Sequence, residues 1–377
     1  MSTIDRVVVH HVTVPLRRPF VTAVRRATTL HTVLVQLVDS DGRSGWGEAP
    51  VSWRVTGESP ASVDAAVSGP VGDAVLGRDP VDLAELGDAV AASVVHNASA
   101  RSAVDCALHD LAAQCAGVPL FEFLGGACGS VRSDMTLSAT PDREQLADDA
   151  RRHVAAGFRT LKVKVGAGGD DDLAVRAVRD AIGPGVGLRV DANQAWEADR
   201  AIALIRGWED AGVGLEFVEQ PVAAQLLDDL ARVTAQVDTP VLADESVWDT
   251  ADLREIIRRR AADAVNLKLA KSGGLSRARA MAELAASAGM PVIVGCMMES
   301  TVGIGAAAGL AAALDAAAIA GTDASGPPHD LDAGLWLTGS AIEGGAGYDG
   351  DAIVLSPSPG AGIVSLREPA DAHGAVR

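Results

Sequence analysis

Charged residues recur at the ends of short apolar runs between Lys162 and Lys268, and the interval between them is nearly constant. The runs read LKVKVG, RVDANQ, FVEQP, LADES and VNLKLAKSGG, and a helix-like segment follows each of them. Asp191 precedes Glu219 by 28 positions, Glu219 precedes Asp244 by 25, and Asp244 precedes Lys268 by 24. Such an interval fits one strand, one helix and two loops, so the pattern predicts a repeat of βα units.

The three carboxylates in this pattern are candidate metal ligands. The carboxyl ends of the strands of a (β/α)8 barrel meet at one mouth, where the active site of such enzymes lies. We therefore expect Asp191, Glu219 and Asp244 to face one cavity. Three carboxylates with no His or Cys among them suit Mg²⁺, which prefers oxygen ligands, and Mn²⁺ is the other candidate ion. Neighbouring residues are expected to support these ligands or to cap the following helices: Asn193, Gln220 and Glu245.

The lysines of the same stretch are candidate acid–base groups. Lys162 and Lys164 are two positions apart on a predicted strand, so their side chains point to the same face. Lys268 lies on the sixth predicted strand, on the opposite wall of a barrel. A metal ion between them can hold a substrate carboxylate and stabilise the enediolate that forms when the α-proton leaves. Because lysine has an ordinary pKa of about 10.4, we expect the metal and Lys162 to lower the pKa of Lys164.

Length and composition restrict the class of protein. A chain of 377 residues suits a barrel of roughly 250 residues plus a second domain. The net charge of −18 argues against nucleic acid as a partner, because phosphate binding needs a basic surface. The polar N-terminus MSTIDR and four cysteines without CxxC spacing favour the reduced cytoplasm. The Ala- and Gly-rich run from Gly303 to Gly321 contains Asp315 and is predicted to be a packed helix and not a membrane span.

The order of predicted elements divides the chain into three parts. The first part is expected to contain a strand at 4–14, a loop with Arg17, Arg18, Arg25 and Arg26, a hairpin of strands at 31–39 and 44–49, and helices over 61–117. Barrel strands are expected near 134–139, 160–165, 187–191, 215–219, 241–244, 264–268, 291–295 and 319–322. We therefore expect an α+β capping domain at 1–125, a barrel at 126–325, and a segment at 326–377 that partly returns to the capping domain.

The chain resembles the enolase superfamily and, within it, the muconate-lactonizing-enzyme subgroup. The resemblance covers nearly the whole sequence and rests on the blocks named above and on the helix AVDCALHDLAAQCAGVPLFEFLGG (103–126). It implies a modified TIM barrel of the (β/α)7β type with an α+β capping domain, in a homo-oligomer that is a dimer or an octamer. It also implies that Asp191, Glu219 and Asp244 bind Mg²⁺, that Lys164 and Lys268 are the two acid–base catalysts, and that Lys162 helps to neutralise the substrate carboxylate.

Two late motifs are similar to those of the dipeptide epimerases of this subgroup. They are GCMMES (295–300), which contains Met298, and DLDA (330–333). In those enzymes a DxD pair binds the free α-ammonium of a dipeptide, which implies that role for Asp330 and Asp332. In the members that act on L-Ala-D/L-Glu, a basic residue of the capping domain holds the acidic side chain of the substrate. Arg25 or Arg26 stands at the corresponding place in this sequence. The resemblance therefore implies Mg²⁺-dependent epimerisation of the C-terminal residue of a dipeptide, with L-Ala-D/L-Glu as the first candidate and non-acidic dipeptides still open.

Two other functions remain open at this point. An o-succinylbenzoate synthase with N-acylamino acid racemase activity, or a muconate-type cycloisomerase, would use the same scaffold without an ammonium-binding DxD pair. In these cases the partner is again a small molecule, such as an N-acyl amino acid. A non-catalytic ligand-binding barrel is the alternative of another class. The two opposed lysines argue against it, because a binding protein has no use for two bases.

Overall fold

The N-terminal part of the chain is an antiparallel sheet covered by helices. A computed structural model describes residues 2–318, 326–367 and 374–376. The strands are β1 (Ile4–Val21), β2 (Arg26–Asp39) and β3 (Ser44–Pro50), which pair in that order. The helices are α1 (Pro60–Ala66), a π-helical turn (Val67–Val71), α2 (Leu83–Ala92), α3 (Ala98–Ala116) and α4 (Leu120–Phe123). Apolar side chains of these strands and helices form a separate core.

The first two strands are longer than the sequence pattern predicted. Arg17 and Arg18 lie in β1 and Arg26 begins β2, so only a tight turn from Thr22 to Arg25 separates the strands. The turn is closed by a hydrogen bond of 2.9 Å from the Thr22 amide to the Arg25 carbonyl. The prediction of a loop here was wrong. Prolines interrupt the strand pattern in the sequence, although the strand itself continues. The pairing of β1 with β2 continues past them through a shift of register.

Two glycines let β3 lie directly against α3. A Cβ atom at Gly47 would be 1.9 Å from the carbonyl oxygen of Ala103, and one at Gly45 would be 2.2 Å from that of Ala107. Only glycine permits such an approach of strand to helix backbone. The helix then ends as predicted at Gly117, whose φ of 72° is left-handed.

The central part of the chain alternates strands and helices. The strands are β4 (Ser130–Arg132), β5 (Met135–Leu137), β6 (Thr160–Lys164), β7 (Gly187–Asp191), β8 (Phe217–Glu219), β9 (Val241–Ala243), β10 (Ala264–Lys268) and β11 (Val292–Gly295). The helices are α5 (Arg143–Ala155), α6 (Asp171–Ile182), α7 (Ala198–Asp210), α8 (Leu227–Thr234), α9 (Thr250–Arg259), α10 (Leu269–Ser272), α11 (Leu275–Ser287) and α12 (Thr301–Ala318).

The strands from β5 to β11 form one parallel sheet in sequence order. Parallel neighbours joined by helices are the units of a (β/α) barrel. The predicted α/β barrel with an α+β capping domain is therefore confirmed, and seven of its predicted strands lie where the sequence indicated them. The eighth, predicted near 319–322, lies outside the described residues.

The segment after residue 325 pairs with strands from both earlier parts. It contains a 3-10 helix (Ala333–Trp336), β12 (Ile342–Gly344), β13 (Gly347–Asp349), β14 (Ala352–Val354), β15 (Ile363–Leu366) and β16 (Gly374–Val376). β14 pairs with β4, the strand that precedes the barrel sheet in the chain, and β16 pairs with β1. The pairing of β16 with β1 brings the end of the segment back to the capping domain, while the boundaries at residues 125 and 325 stay a prediction.

The helix α12 is long and apolar enough to cross a membrane by length and composition alone. Its mean hydropathy is 1.5, but 61% of it is buried inside the protein. Its buried face packs against α4 and β11. A core helix of a globular protein meets the same criteria of length and composition, and the interior position agrees with the predicted packed helix.

Candidate active site

The charged residues singled out in the sequence meet at the carboxyl end of the barrel strands. Lys164 is paired in register with Asp191, and Asp191 with Glu219, at the ends of three neighbouring strands. Asp244 directly follows β9 and Lys268 ends β10. All of these side chains are buried. The topology therefore gathers lysines and carboxylates from five strands around one cavity.

Each predicted metal carboxylate is paired with a lysine. Lys164 Nζ is in a salt bridge with Asp191, and Lys162 Nζ lies 3.2 Å from Glu219 Oε2. Lys268 Nζ donates to Asp244 Oδ2 at 2.7 Å. These pairs compensate part of the free-energy cost of burying the charges.

Lys271 is a member of this cluster that the sequence pattern did not single out. Its Nζ donates to Asp244 Oδ1 at 2.5 Å, from the short helix α10 that follows β10. A compositional signal was available. The chain has only four lysines among its 32 lysines and arginines, and all four lie in this cluster with at most 7% of their surface exposed.

Burial and charge move the pKa values of the carboxylates in different directions. Burial and the charge of Asp191 raise the pKa of Glu219 to about 7, although Lys162 opposes the rise. Burial would also raise the pKa of Asp244, but the ammonium groups of Lys268 and Lys271 outweigh it and hold the pKa well below its usual range. The same salt bridge has the opposite effect on the lysine. The negative charges of Asp244 and Glu219 outweigh burial and raise the pKa of Lys268 above its ordinary value.

The oxygen atoms of the site fit a divalent cation. Besides the three carboxylates, Asn193 Oδ1 and Glu245 Oε2 are buried without a hydrogen-bond partner in the described part of the chain. Burial, together with the charges of Asp244 and Asp191, raises the pKa of Glu245 to about 8. Buried acceptor oxygens are normally satisfied, so this surplus favours a cation that binds oxygen. Asp191, Glu219 and Asp244 could hold Mg²⁺ or Mn²⁺ here.

The side chains predicted to support the metal carboxylates have two different roles. The Asn193 amide nitrogen donates to Glu245 Oε1 at 3.2 Å, and its backbone N–H donates to Asp191 Oδ1 at 2.8 Å. Gln220 Oε1 accepts from the backbone N–H groups of Asp244 and Ser246 at 3.0 and 3.1 Å. Gln220 therefore fixes the loop that carries Asp244, whereas Asn193 and Glu245 line the cavity itself.

The DxD pair lies in the same cavity. Asp330 is in a salt bridge with Lys162. Asp332 Oδ2 accepts from the Thr136 amide at 2.8 Å and from Trp336 Nε1 at 3.0 Å. Backbone pairing of Asp330 with Gly295, at the end of β11, holds the loop against the sheet.

A third aspartate, Asp134, adjoins this pair and was not predicted. Among the described residues, oxygens of Asp134, Asp330 and Asp332 form a carboxylate group within 4.8 Å of one another. Burial and Asp330 raise the pKa of Asp134 to about 8, although Arg189 opposes the rise. Arg189 Nη1 donates to Asp134 Oδ2 at 2.8 Å, while Asp134 Oδ1 has no hydrogen-bond partner in the described chain. The group is thus suited to a positive charge.

The structure separates the two arginines of the capping-domain turn. Arg25 lines the active-site cavity, together with Met298, and burial lowers the pKa of its guanidinium. Arg26 is exposed and lies in a neighbouring cavity. Arg25 is in no salt bridge with a described residue, so its charge faces the cavity without a carboxylate partner.

Comparison with known proteins agrees with this geometry. Residues 145–368 match the family described as enolase C-terminal domain-like. Residues 4–125 match the mandelate racemase / muconate lactonizing enzyme N-terminal domain. The L-Ala-D/L-Glu epimerase of Bacillus subtilis (strain 168) is 37% identical over 366 residues, which are 96% of this chain and 96% of that protein.

Solved structures extend the similarity to three dimensions. A substrate-liganded complex of the L-Ala-D/L-Glu epimerase from Bacillus subtilis has a TM-score of 0.91 at 37% identity, covering 97% of this chain and 100% of that one. Dipeptide epimerase from Enterococcus faecalis V583, complexed with Mg and L-Leu-L-Tyr, has a TM-score of 0.90 at 33% identity, covering 96% and 100%. Because these similarities span both domains, the chain belongs to the mandelate racemase / muconate lactonizing enzyme family of the enolase superfamily.

Proposed function

We propose that the protein is a Mg²⁺-dependent dipeptide epimerase that inverts the α-carbon of the C-terminal residue. The observation that carries the proposal is the arrangement of one cavity. Lys164 and Lys268 extend into this cavity from β6 and β10, which are four strands apart in the sheet. The three predicted metal carboxylates and the DxD pair line the cavity or lie next to it. Two such groups on opposite faces of a carbon allow one to remove its proton and the other to return a proton from the other side. The epimerase activity of the relatives supports the same reaction.

The lysines divide the proton transfer between them. With the substrate carboxylate beside Lys162, Lys164 takes the α-proton from one face and Lys268 delivers a proton to the other. In this direction Lys268, which is in a salt bridge with Asp244, carries the proton that it delivers. Mg²⁺ held by Asp191, Glu219 and Asp244 would supply positive charge at the substrate carboxylate, where negative charge develops. In the reverse direction the two lysines exchange roles.

The DxD pair supports a dipeptide over an N-acyl amino acid. A free α-ammonium has three donors and a positive charge, and Asp330 and Asp332 offer two buried carboxylates for it. An N-acyl substrate has no such charge, so Asp330 would keep only its salt bridge with Lys162, and Asp332 only its hydrogen bonds from Thr136 and Trp336. Asp134 Oδ1, which has no hydrogen-bond partner in the described chain, is a further acceptor beside the pair.

The first candidate substrate is L-Ala-D/L-Glu. Arg25 provides a guanidinium without a carboxylate partner among the described residues, at the capping-domain side of the cavity, where the side chain of the epimerised residue would lie. Guanidinium groups form strong, bidentate hydrogen bonds with carboxylates. An acidic side chain is therefore the best partner for this position.

The experiment that tests the function is hydrogen exchange in D₂O. The protein is incubated with Mg²⁺ and a set of dipeptides, and deuterium at the C-terminal α-carbon is read by mass spectrometry. We expect exchange with L-Ala-L-Glu, its loss on chelation, and its recovery with Mg²⁺. Exchange with N-succinylamino acids but with no dipeptide would contradict the proposal and favour the N-acylamino acid racemase alternative.

The finer statements about assembly and compartment are also proposals. We infer a homo-oligomer in the cytoplasm, from the family resemblance and from the absence of CxxC pairs in the sequence. Sedimentation analysis of the purified protein measures the first of these. A single monomeric species at micromolar concentration would contradict it.

A further inference from the structure

A second cavity lies next to the active-site cavity, on the capping-domain side. We call it the outer cavity. It has a volume of about 370 Å³ and shares Arg25 and Met298 with the active-site cavity. Its other lining residues come from the start of β2 and from the loop after β3, and they include Arg26, Arg54 and Trp53.

The outer cavity is basic in an acidic protein. Three arginines and His31 line it, and none of its described lining residues is Asp or Glu. No guanidinium group of Arg25, Arg26 or Arg54 is in a salt bridge with a residue in the described ranges. The chain as a whole carries a net charge of −18. Like charges brought together without acidic partners repel one another, so this arrangement favours an anionic ligand.

The position of the cavity indicates which part of a substrate would reach it. The α-carbon must lie between Lys164 and Lys268, and Arg25 stands between that point and the outer cavity, since it lines both spaces. A group in the outer cavity would therefore continue the side chain of the epimerised residue. The volume is large enough for a further amino-acid unit.

Trp53 adds an apolar surface to the basic one. Its side chain is 74% exposed, which is unusual for so large an apolar group. An exposed ring beside two arginines offers a flat surface for the stem of a ligand and charges for its end. The outer cavity thus combines an apolar ring with cationic groups.

We propose that the outer cavity binds a second anionic group, carried at the end of an elongated side chain of the epimerised residue. The substrate class is a dipeptide whose C-terminal glutamate is joined through its side-chain carboxyl, by an amide, to a further unit with a free carboxylate. Arg26 and Arg54 then bind that carboxylate, and Arg25 binds the amide carbonyl. The inference rests on the proposed epimerase function and deepens it.

The test compares three peptides that differ in length and charge. They are L-Ala-L-Glu, the same dipeptide with glycine amide-linked to the side-chain carboxyl, and its glycinamide analogue, which is equally long but lacks the final charge. The ratio of kcat/KM for the two long peptides is measured by deuterium exchange with Mg²⁺ at fixed ionic strength. We expect the charged peptide to be favoured about tenfold.

Variants assign the effect to the cavity. Arg54→Ala and Arg26→Ala should each lower the ratio towards one, because each removes one of the two arginines that bind the final carboxylate. The matched control is Arg17→Ala, which removes an exposed charge from β1 and lies in neither cavity. It should leave the ratio unchanged.

Two results would overturn the inference. One is an equal kcat/KM for the two long peptides. The other is a loss in Arg54→Ala that is the same for every acidic peptide and disappears at high salt, which would mean attraction at long range only. Calorimetric binding of the two long peptides, with Mg²⁺ present, separates this inference from the proposed function. Exchange in no peptide would overturn the function, while a tenfold difference in binding would still support the outer cavity.

Discussion

Lys164 and Lys268 extend from β6 and β10, which are four strands apart in the barrel sheet. Both are buried, and each is paired with a different carboxylate. The rest of the chain carries its positive charge on arginine, which stays protonated at any ordinary pH. Lysine is therefore confined to the active-site cavity. Its side chain can lose a proton there, or serve as a compact ammonium group, whereas arginine can do neither.

Replacing one of these lysines should separate proton removal from proton return. In Lys268→Ala, Lys164 still faces one side of the α-carbon. We expect one diastereomer of the substrate to exchange its α-proton in D₂O while epimerisation falls about a thousandfold. Proton NMR of each diastereomer measures both rates. Residual exchange from both diastereomers at equal rates would contradict the assignment of one lysine to each face.

Removing the guanidinium of Arg25 should change substrate preference more than overall activity. For Arg25→Ala we expect kcat/KM to fall by about 100-fold with L-Ala-L-Glu. The loss with L-Ala-L-Leu should be much smaller, because no carboxylate is left without a partner. Steady-state kinetics with the two dipeptides measures the difference. An equal loss with both would contradict the acidic-substrate assignment.

At the scale of elements, the close contact of β3 with α3 supports the capping domain. The two backbones can approach because Gly45 and Gly47 have no side chains. β3 also carries Glu48, which accepts from the Ser300 and Gly303 amides at 2.8 and 2.9 Å. The same strand thus packs on a capping-domain helix and reaches the first turn of the barrel helix α12.

A methyl group at Gly47 should weaken this contact strongly. Its Cβ would be 1.9 Å from the Ala103 carbonyl oxygen, so the strand or the helix must move. For Gly47→Ala we expect a loss of about 3 kcal/mol in the free energy of unfolding. Urea denaturation measures it. The control is Gly339→Ala, where no atom lies within 4 Å of the new Cβ, and a similar loss in that variant would argue against the packing explanation.

At the scale of the whole molecule, a pair of buried carboxylates lies where the capping domain meets the barrel. Glu48 comes from β3 and Glu299 from the loop before α12, and the Met297 amide donates to Glu299 Oε1 at 2.8 Å. Burial and the charge of Glu48 raise the pKa of Glu299 to about 8. Burial also raises the pKa of Glu48. Near neutral pH a proton on Glu299 avoids two adjacent negative charges.

This pair predicts the direction in which stability changes with pH. The folded protein keeps a proton on Glu299 up to about pH 8, whereas the unfolded chain releases it near the ordinary value of about 4.3. Stability contributed by this group therefore falls as pH rises between these values, by at most about 1.4 kcal/mol per pH unit. Glu299→Gln should flatten this slope in urea denaturation between pH 5 and 8. Glu144→Gln, on the exposed first turn of α5, is the matched control, and an unchanged slope in Glu299→Gln would contradict the prediction.

The sequence by itself determined the barrel and the set of charges at its mouth. Its repeat of βα units predicts parallel strands, and the carboxyl ends of parallel strands in a barrel meet at one side. Asp191, Glu219 and Lys268 could therefore be assigned to one cavity from their spacing alone. The resemblance of the motifs to a known family then indicated the reaction, and the comparisons confirm the family and the dipeptide epimerase relationship.

Only the tertiary structure decided which residues outside that repeat take part. Asp134 and Arg189 are 55 positions apart, and Glu48 and Ser300 are 252 apart. Such contacts depend on how loops and domains pack, so they leave no periodic signal in the sequence. The choice of Arg25 over Arg26 has a similar origin. The two are neighbours in the chain and both line the outer cavity, but only Arg25, at the end of the turn after β1, also lines the active-site cavity.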